Sequence, residues 1–211
     1  HLFFEANSTF EKGIVVSVRT EPIPLWINSY IESELLLFNH KTAIPLVNGY
    51  ESPTTLGLDR LAAAVGANNI FPHTNVLVVD CGTAITVDFV SAIGRFEGGN
   101  ISLGLNTRFK ALSSFTSKLP LVDIADGYPL IGKNTTDAIR AGVLNSTIFE
   151  LDTYIELFSG LYPDWSGYRG IRYLQPPQPG RKSTRTALSG LYPTGYQATR
   201  RSSGKAGCCS H

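Results

Sequence analysis

Two short polar clusters set in apolar surroundings are the first hint of chemistry. Asp80-Cys81-Gly82-Thr83 separates two β-rich arms, Val76 to Val79 and Ala84 to Val90. At such a turn glycine lets the backbone approach a ligand closely, and consecutive N–H groups beside a threonine hydroxyl can cradle phosphate oxygens. Asp80, closing the first arm, is placed to face a cation or a polar ligand. A plain hairpin with a polar tip accounts for the same residues equally well, and the segment does not match the GxxxxGK[ST] phosphate loop. The second cluster, Gly132-Lys133-Asn134-Thr135-Thr136-Asp137, opens a long apolar periodicity. Asn134 suits a helix N-cap, and a helix start can also face an anion; spacing by itself favours the cap.

Strands and helices must position these clusters. Gly13 to Val18 is a β-branched run suited to a buried strand. The stretch to Leu37, with Pro22 and Pro24 near its start, holds a short helix, and Leu35 to Phe38 reads as a strand or a helix end. Between Ser52 and Gly66, Leu58, Leu61, Ala62 and Val65 recur at i, i+3, i+4 and i+7, which predicts an amphipathic helix stopped by Gly66. Asp59 and Arg60 fall off its apolar stripe and read, alone, as a solvated first turn. Val76 to Val90 predicts strand, tight turn, strand. Gly94, Gly98, Gly99 and Gly104 predict a flexible turn feeding a helix from Leu105 to about Phe115. Ile139, Val143, Leu144, Ile148, Leu151, Ile155 and Phe158 predict a long helix after Asn134.

The chain has 211 residues, 43% hydrophobic and 17% charged, so wholesale disorder, collagen and coiled coil are excluded for the whole. No apolar run reaches the roughly 18 residues of a membrane-spanning helix, and the start lacks the pattern of a secretory signal. Charge is divided along the chain. Residues 165–211 carry eight basic and no acidic residues, whereas the remainder carries ten basic and seventeen acidic ones. The basic segment is rich in Pro and Gly and poor in periodic aliphatics, so it is expected to be a disordered tail outside the core. It carries none of the patterns of a specific nucleic-acid module. Cys81, Cys208 and Cys209 form neither a disulfide framework nor a CxxC pair, which points to the cytosol. The absence of Met suggests a fragment or a processed product.

Four segments follow one another in order: Tyr50-Glu51-Ser52-Pro53-Thr54-Thr55-Leu56-Gly57-Leu58-Asp59-Arg60, Asp80-Cys81-Gly82-Thr83-Ala84-Ile85-Thr86, Gly98-Gly99-Asn100-Ile101-Ser102 and Gly132-Lys133-Asn134-Thr135. Together they resemble the type III pantothenate kinases over about residues 10 to 164. The resemblance implies ATP-dependent phosphorylation of pantothenate to 4′-phosphopantothenate, the first step of coenzyme A biosynthesis. It also implies an α/β, actin-like (ribonuclease H-like) two-domain ATPase fold, here incomplete at both ends, with residues 1–72 in the first domain and 73–164 in the second. Such kinases are cytoplasmic homodimers that use a divalent metal (Mg) and potassium or ammonium.

By position, the resemblance makes Asp59 the general base, and Gly57, Leu58, Asp59 and Arg60 the substrate segment, with Arg60 suited to the pantothenate carboxylate. It makes Tyr50 and Thr135 substrate contacts, Asp80 the ligand of the monovalent cation, and Gly82 and Thr83 the contact with ATP phosphates. Three departures stand against it. The family opens with an Asp-X-Gly-Asn-Thr phosphate loop, and nothing like it precedes Gly13. Leu103 stands where the family has proline, which is expected to loosen that turn. After Asp164 the basic tail replaces a Thr-Gly-Gly adenosine motif and reads as a shifted reading frame. Two alternatives stay open: an inactive actin-like binding or regulatory protein, and another small-molecule kinase of the same superfamily.

Overall fold

Alternating β-rich and helical segments build a mixed α/β structure. A computed structural model describes residues 9–17, 23–125 and 127–162; the expectations for residues 165–211 lie outside those residues. Strand β1 (Phe10–Val15) pairs in parallel with β2 (Ile31–Leu37), with Ile14 opposite Leu36 and Val15 opposite Leu37. The short helix expected before Leu37 is a 3-10 turn, Leu25–Tyr30. A second sheet has the order β3-β6-β5-β4, from β3 (Val47–Asn48), β4 (Val76–Cys81), β5 (Ala84–Ser91) and β6 (Arg95–Leu103). Its β4–β5 and β5–β6 pairs are antiparallel, and β3 runs parallel to β6.

Helices α1 (Leu58–Ile70) and α3 (Thr135–Leu161) cover opposite faces of this sheet. The side-chain period of two along a strand divides the contacts. Val76 and Val78 join Leu61, Ala64, Val90 and Phe96 on the α1 face. Leu77, Val79, Ile85 and Val87 join Leu151 and Tyr154 on the α3 face. Burial on both faces is why β4 and β5 read as continuous apolar runs rather than alternating ones. Helix α2 (Leu105–Phe115) follows β6 and packs on α3 through Leu105, Phe109, Ile139, Val143 and Leu144.

The strand expected to be buried at Gly13 to Val18 is β1, which ends at Val15 and leaves Ile14 68% exposed on a two-stranded sheet, and three further expectations are corrected. Gly66 does not stop α1, which continues four residues to Ile70. A helical glycine costs only about 1 kcal/mol relative to alanine, and Ala67 and Phe71 pack on the core beyond it. The helix ends instead just before Pro72, because the residue preceding a proline is pushed out of the α region.

The glycines from Gly94 to Gly104 do not form a flexible turn. They are built into β6 and its ends. Gly94 turns the chain at φ +72°, and Gly98, at φ +129°, takes a bulge where β5 shifts register between Phe89 and Val90. Leu103 ends the strand paired with Ala84 rather than loosening it.

Gly99 lies opposite Asp88, and a Cβ there would stand 2.2 Å from Asp88 Oδ1 and 2.4 Å from the Val87 carbonyl oxygen. Gly99→Ala is therefore expected to lower the unfolding free energy by about 1–3 kcal/mol in urea titration. At Gly142, on α3, an added Cβ meets nothing within 4 Å, so Gly142→Ala should raise it by up to about 1 kcal/mol. Equal effects at the two positions would contradict the packing described.

Candidate active site

Arg60 is the centre around which the site is built. It sits in the first turn of α1, yet only 6% of it is exposed, against the expectation of a solvated turn. Its Nε donates to Asp88 Oδ1 at 3.0 Å and to Oδ2 at 3.2 Å, and its Nη2 also donates to Oδ1. The guanidinium carbon lies 5.6 Å from the centre of the Tyr50 ring and 5.9 Å from that of Phe96. Aromatic faces and a fully buried carboxylate thus replace the water that the cation gives up. The bonds to Asp88 raise the Arg60 pKa despite burial. Burial pushes the Asp88 carboxyl upward, and its bonds to Arg60 oppose that shift.

Asp88 was missed in the sequence. Its signal was available: one acid in the apolar run Val87-Asp88-Phe89-Val90 must find a partner when buried on both faces. Nothing local in the sequence named Arg60 as that partner.

The burial of Arg60 fixes its neighbour. Asp59 is exposed at the start of α1, and its Oδ1 accepts from the Arg60 backbone N–H at 2.9 Å. Gly57 leaves room for this, since a Cβ there would lie 2.5 Å from the same Oδ1. A carboxylate at a helix N-terminus is favoured by the unpaired N–H groups and the dipole. Asp59 is also within electrostatic reach of Asp80, whose carboxyl is pushed upward first by burial and then by Asp59 and Asp88. Asp80 Oδ1 is buried with no hydrogen-bond partner. An orphaned carboxylate oxygen beside two other acids suits a cation ligand. Among the described residues no group of three or more His, Cys, Asp or Glu is arranged to hold a metal ion.

Asp80 ends β4, and the turn that follows is the expected hairpin. Gly82 and Thr83 are exposed at its tip. The Gly82 N–H donates to the Ala84 carbonyl at 2.9 Å, and the Thr83 carbonyl accepts from the Gly104 N–H at 3.0 Å and from the Thr107 hydroxyl at 2.7 Å. Cys81, between Asp80 and the tip, is buried, and burial pushes its thiol up to about 11. A thiol held neutral at physiological pH is packing, not a nucleophile.

The second polar cluster lies elsewhere on the fold. Asn134 caps α3 as expected: its Oδ1 accepts from the Asp137 N–H at 2.9 Å, and its Nδ2 donates to Asp137 Oδ2 at 2.7 Å. Thr135 is exposed and lines a groove of about 1060 Å³ between α2 and α3, with Leu112, Phe115, Ile139 and Val143 among its walls. Tyr50, Gly57, Leu58, Asp59, Arg60, Asp80, Gly82 and Thr83 do not line that groove. The structure therefore brings Tyr50, Gly57, Asp59 and Arg60 together, with Asp80 in reach, and puts Thr135 in a groove that also takes in Leu103 and Arg108 beside the hairpin.

The geometry thus sets an exposed carboxylate on a fixed helix start within electrostatic reach of a half-buried acid, with one orphaned oxygen, at the foot of a glycine-threonine hairpin. The family model for type III pantothenate kinase matches residues 2–157, and the chain belongs to that family. It is 43% identical over 157 residues to the type III pantothenate kinase of Phocaeicola vulgatus, covering 73% of this chain and 64% of that one. It is 49% identical over 156 residues to that of Porphyromonas gingivalis strain W83, covering 72% and 63%. The chain thus matches less than two thirds of the length of these relatives. A crystal structure from Campylobacter jejuni, named for the Baf family of transcriptional activators, aligns with a TM-score of 0.43 at 23% identity, over 61% of this chain and 56% of that one.

Asp88→Asn keeps the shape of the buried partner but removes its charge, leaving Arg60 uncompensated. It is expected to cost about 3–5 kcal/mol in urea unfolding, whereas the double variant Arg60→Met/Asp88→Leu should recover most of that loss. A single-variant cost near zero would show that Arg60 is not held by this pair.

Proposed function

We propose that this chain carries the catalytic carboxylate and phosphate hairpin of an ATP-dependent kinase that phosphorylates pantothenate to 4′-phosphopantothenate. The observation that carries the reading is Asp59: exposed, fixed by the buried Arg60 beside it, and electrostatically coupled to Asp80 at the foot of the hairpin. In this reading the pantothenate hydroxyl oxygen attacks the γ-phosphorus of ATP, its proton passes to the Asp59 carboxylate, and ADP leaves. Phosphoryl transfer asks mainly for positioning and charge stabilisation, so an unburied carboxylate suffices to orient the hydroxyl.

Gly82 and Thr83 would meet the ATP phosphates at the exposed tip. Asp80, through its unpartnered oxygen, would hold the potassium or ammonium ion, which supplies positive charge beside the phosphates. Magnesium would enter with the nucleotide, since it usually keeps several waters and binds through one or two carboxylates plus phosphates. Tyr50, Gly57 and Leu58 would line the pantothenate side. Arg60 already gives two of its nitrogens to Asp88 and also engages the Tyr50 side chain, so its first task is to hold the turn that presents Asp59, and little of the fork is left for a substrate carboxylate.

Thr135 lines the groove that also takes in Leu103 and Arg108 beside the hairpin; with the reading come its role as a pantothenate contact and a homodimer. The reading brings with it a cytoplasmic enzyme, an actin-like fold, and a division into residues 1–72 and 73–164, with β3 and α1 packing across that division. Among the described residues no helix is long and apolar enough to cross a membrane.

The test is pantothenate-dependent ADP release. Asp59→Asn should lower turnover by about 10²- to 10⁴-fold. Because Asp59 is exposed, the change should leave unfolding free energy within about 0.5 kcal/mol and should leave pantothenate binding by calorimetry intact. Turnover close to that of the unmodified protein would remove Asp59 from the base role. Binding of ATP and pantothenate with no turnover would point to a binding or regulatory protein instead.

A further inference from the structure

Arg108 makes a set of contacts that the proposed reaction does not use directly. It lies in the second turn of α2 with only 17% of its side chain exposed. Its Nε donates to the Leu103 carbonyl at 2.7 Å, its Nη2 to the Ser102 hydroxyl at 3.2 Å and to Glu150 Oε2, and its Nη1 to the Ser146 hydroxyl at 3.4 Å. One guanidinium thus ties the end of β6, the start of α2 and the middle of α3. Glu150, 24% exposed, supplies the opposing charge from α3. An arginine fork fully used in this way fixes relative position as well as supplying energy.

What lies directly beyond these contacts is the hairpin tip. Leu103, whose carbonyl Arg108 holds, is paired with Ala84, the first residue after the tip. Gly104, the next residue, donates its N–H to the Thr83 carbonyl, and Thr107, one residue before Arg108, donates its hydroxyl to the same oxygen. The fit is close: a Cβ on Gly104 would lie 2.0 Å from the Gly82 carbonyl oxygen. Gly82 and Thr83 are exposed and bonded mainly from this side, so their direction is set by where β6 ends and α2 begins. Arg108 and Glu150 set that place.

We propose that Arg108, held by Glu150, is a positioning residue for the phosphate-facing tip Gly82–Thr83. The proposal rests on the kinase reading for its consequence and on the bonds above for its mechanism, and the two are separable by experiment. Arg108→Lys keeps the charge but not the fork, Glu150→Gln keeps shape but not the charge, and Arg108→Ala removes both. Amide hydrogen exchange reads the tip directly. The Gly82 and Gly104 amides should exchange about tenfold faster or more in Arg108→Ala, and to an intermediate extent in the two milder variants, while Val78 and Val87 in the strands keep their protection. In ADP-release kinetics the KM for ATP should rise about fivefold or more, with the KM for pantothenate within about twofold of the unmodified protein.

Unchanged exchange at Gly82 and Gly104 in variants that fold would overturn the proposal. So would faster exchange at the tip with an unaltered KM for ATP, or equal rises in both KM values, which mark a general loosening. If the unmodified protein shows no pantothenate-dependent ADP release, the kinase reading fails; the exchange data and titration with magnesium ATP then decide alone whether Arg108 positions a nucleotide-binding tip.

Discussion

The pairing of Arg60 with Asp88 is the constraint from which the rest of the arrangement follows. Two charges removed from water cost several kcal/mol each before their attraction is counted, so the structure around them must be complete. Asp88 needs the space that Gly99 leaves on the neighbouring strand, and Arg60 needs the faces of Tyr50 and Phe96. A one-residue slip of β5 would turn Asp88 to the α3 face among Leu77, Val79 and Leu151, with no cation to meet it. A buried pair need not add stability over an apolar one, but here it makes the wrong register costly. Register and helix position are thereby fixed together, and Asp59 is carried to its place by its covalent neighbour.

The sheet then divides the work between its two sides. The α1 face holds the ion pair and presents Asp59; at the end of β4 and β5, α2 and α3 hold the hairpin. The two regions meet at Asp80, the last polar residue of β4, whose side chain feels the charge of Asp59 and Asp88 and whose backbone leads into the tip. A small sheet with helices on both faces can supply a rigid floor of this kind because its strands β4 and β5 are packed on both sides.

Much of this was legible in the residues. The hairpin from Val76 to Val90 was announced by two β-branched arms around a small polar centre, α2 by its place after the glycine-rich segment, and the start of α3 by Asn134 as its cap. These are local signals, decided within one turn or one strand. What was not legible depended on distant partners. The glycines of β6 read as a loop because their reasons lie on other segments: Asp88 opposite Gly99, and the hairpin tip against Gly104. Gly66 read as a stop because what carries α1 past it is the packing of Ala67 and Phe71 on a core drawn from distant segments, Leu46, Val76, Val90 and Phe96 among them. Arg60 read as a surface residue because its spacing takes it off the apolar stripe, and only the fold supplies a carboxylate and two aromatic rings to receive it.

The same charges bear on what the site can admit. Asp80 and Asp88 lie within electrostatic reach of each other and of Asp59, and Arg60 is the cation paired with Asp88. Like charges in close proximity repel, so a polyanionic ligand brought beside these acids would be opposed unless positive charge arrived with it. Arg60 cannot turn outward to supply that charge without abandoning Asp88 in the core. Arg108 is equally committed, to Glu150. In the reading proposed above, a nucleotide and a carboxylated alcohol would meet here with neither arginine free to turn to them, and the buried, unpartnered oxygen of Asp80 would be a place for an ion to restore the balance without disturbing either pair.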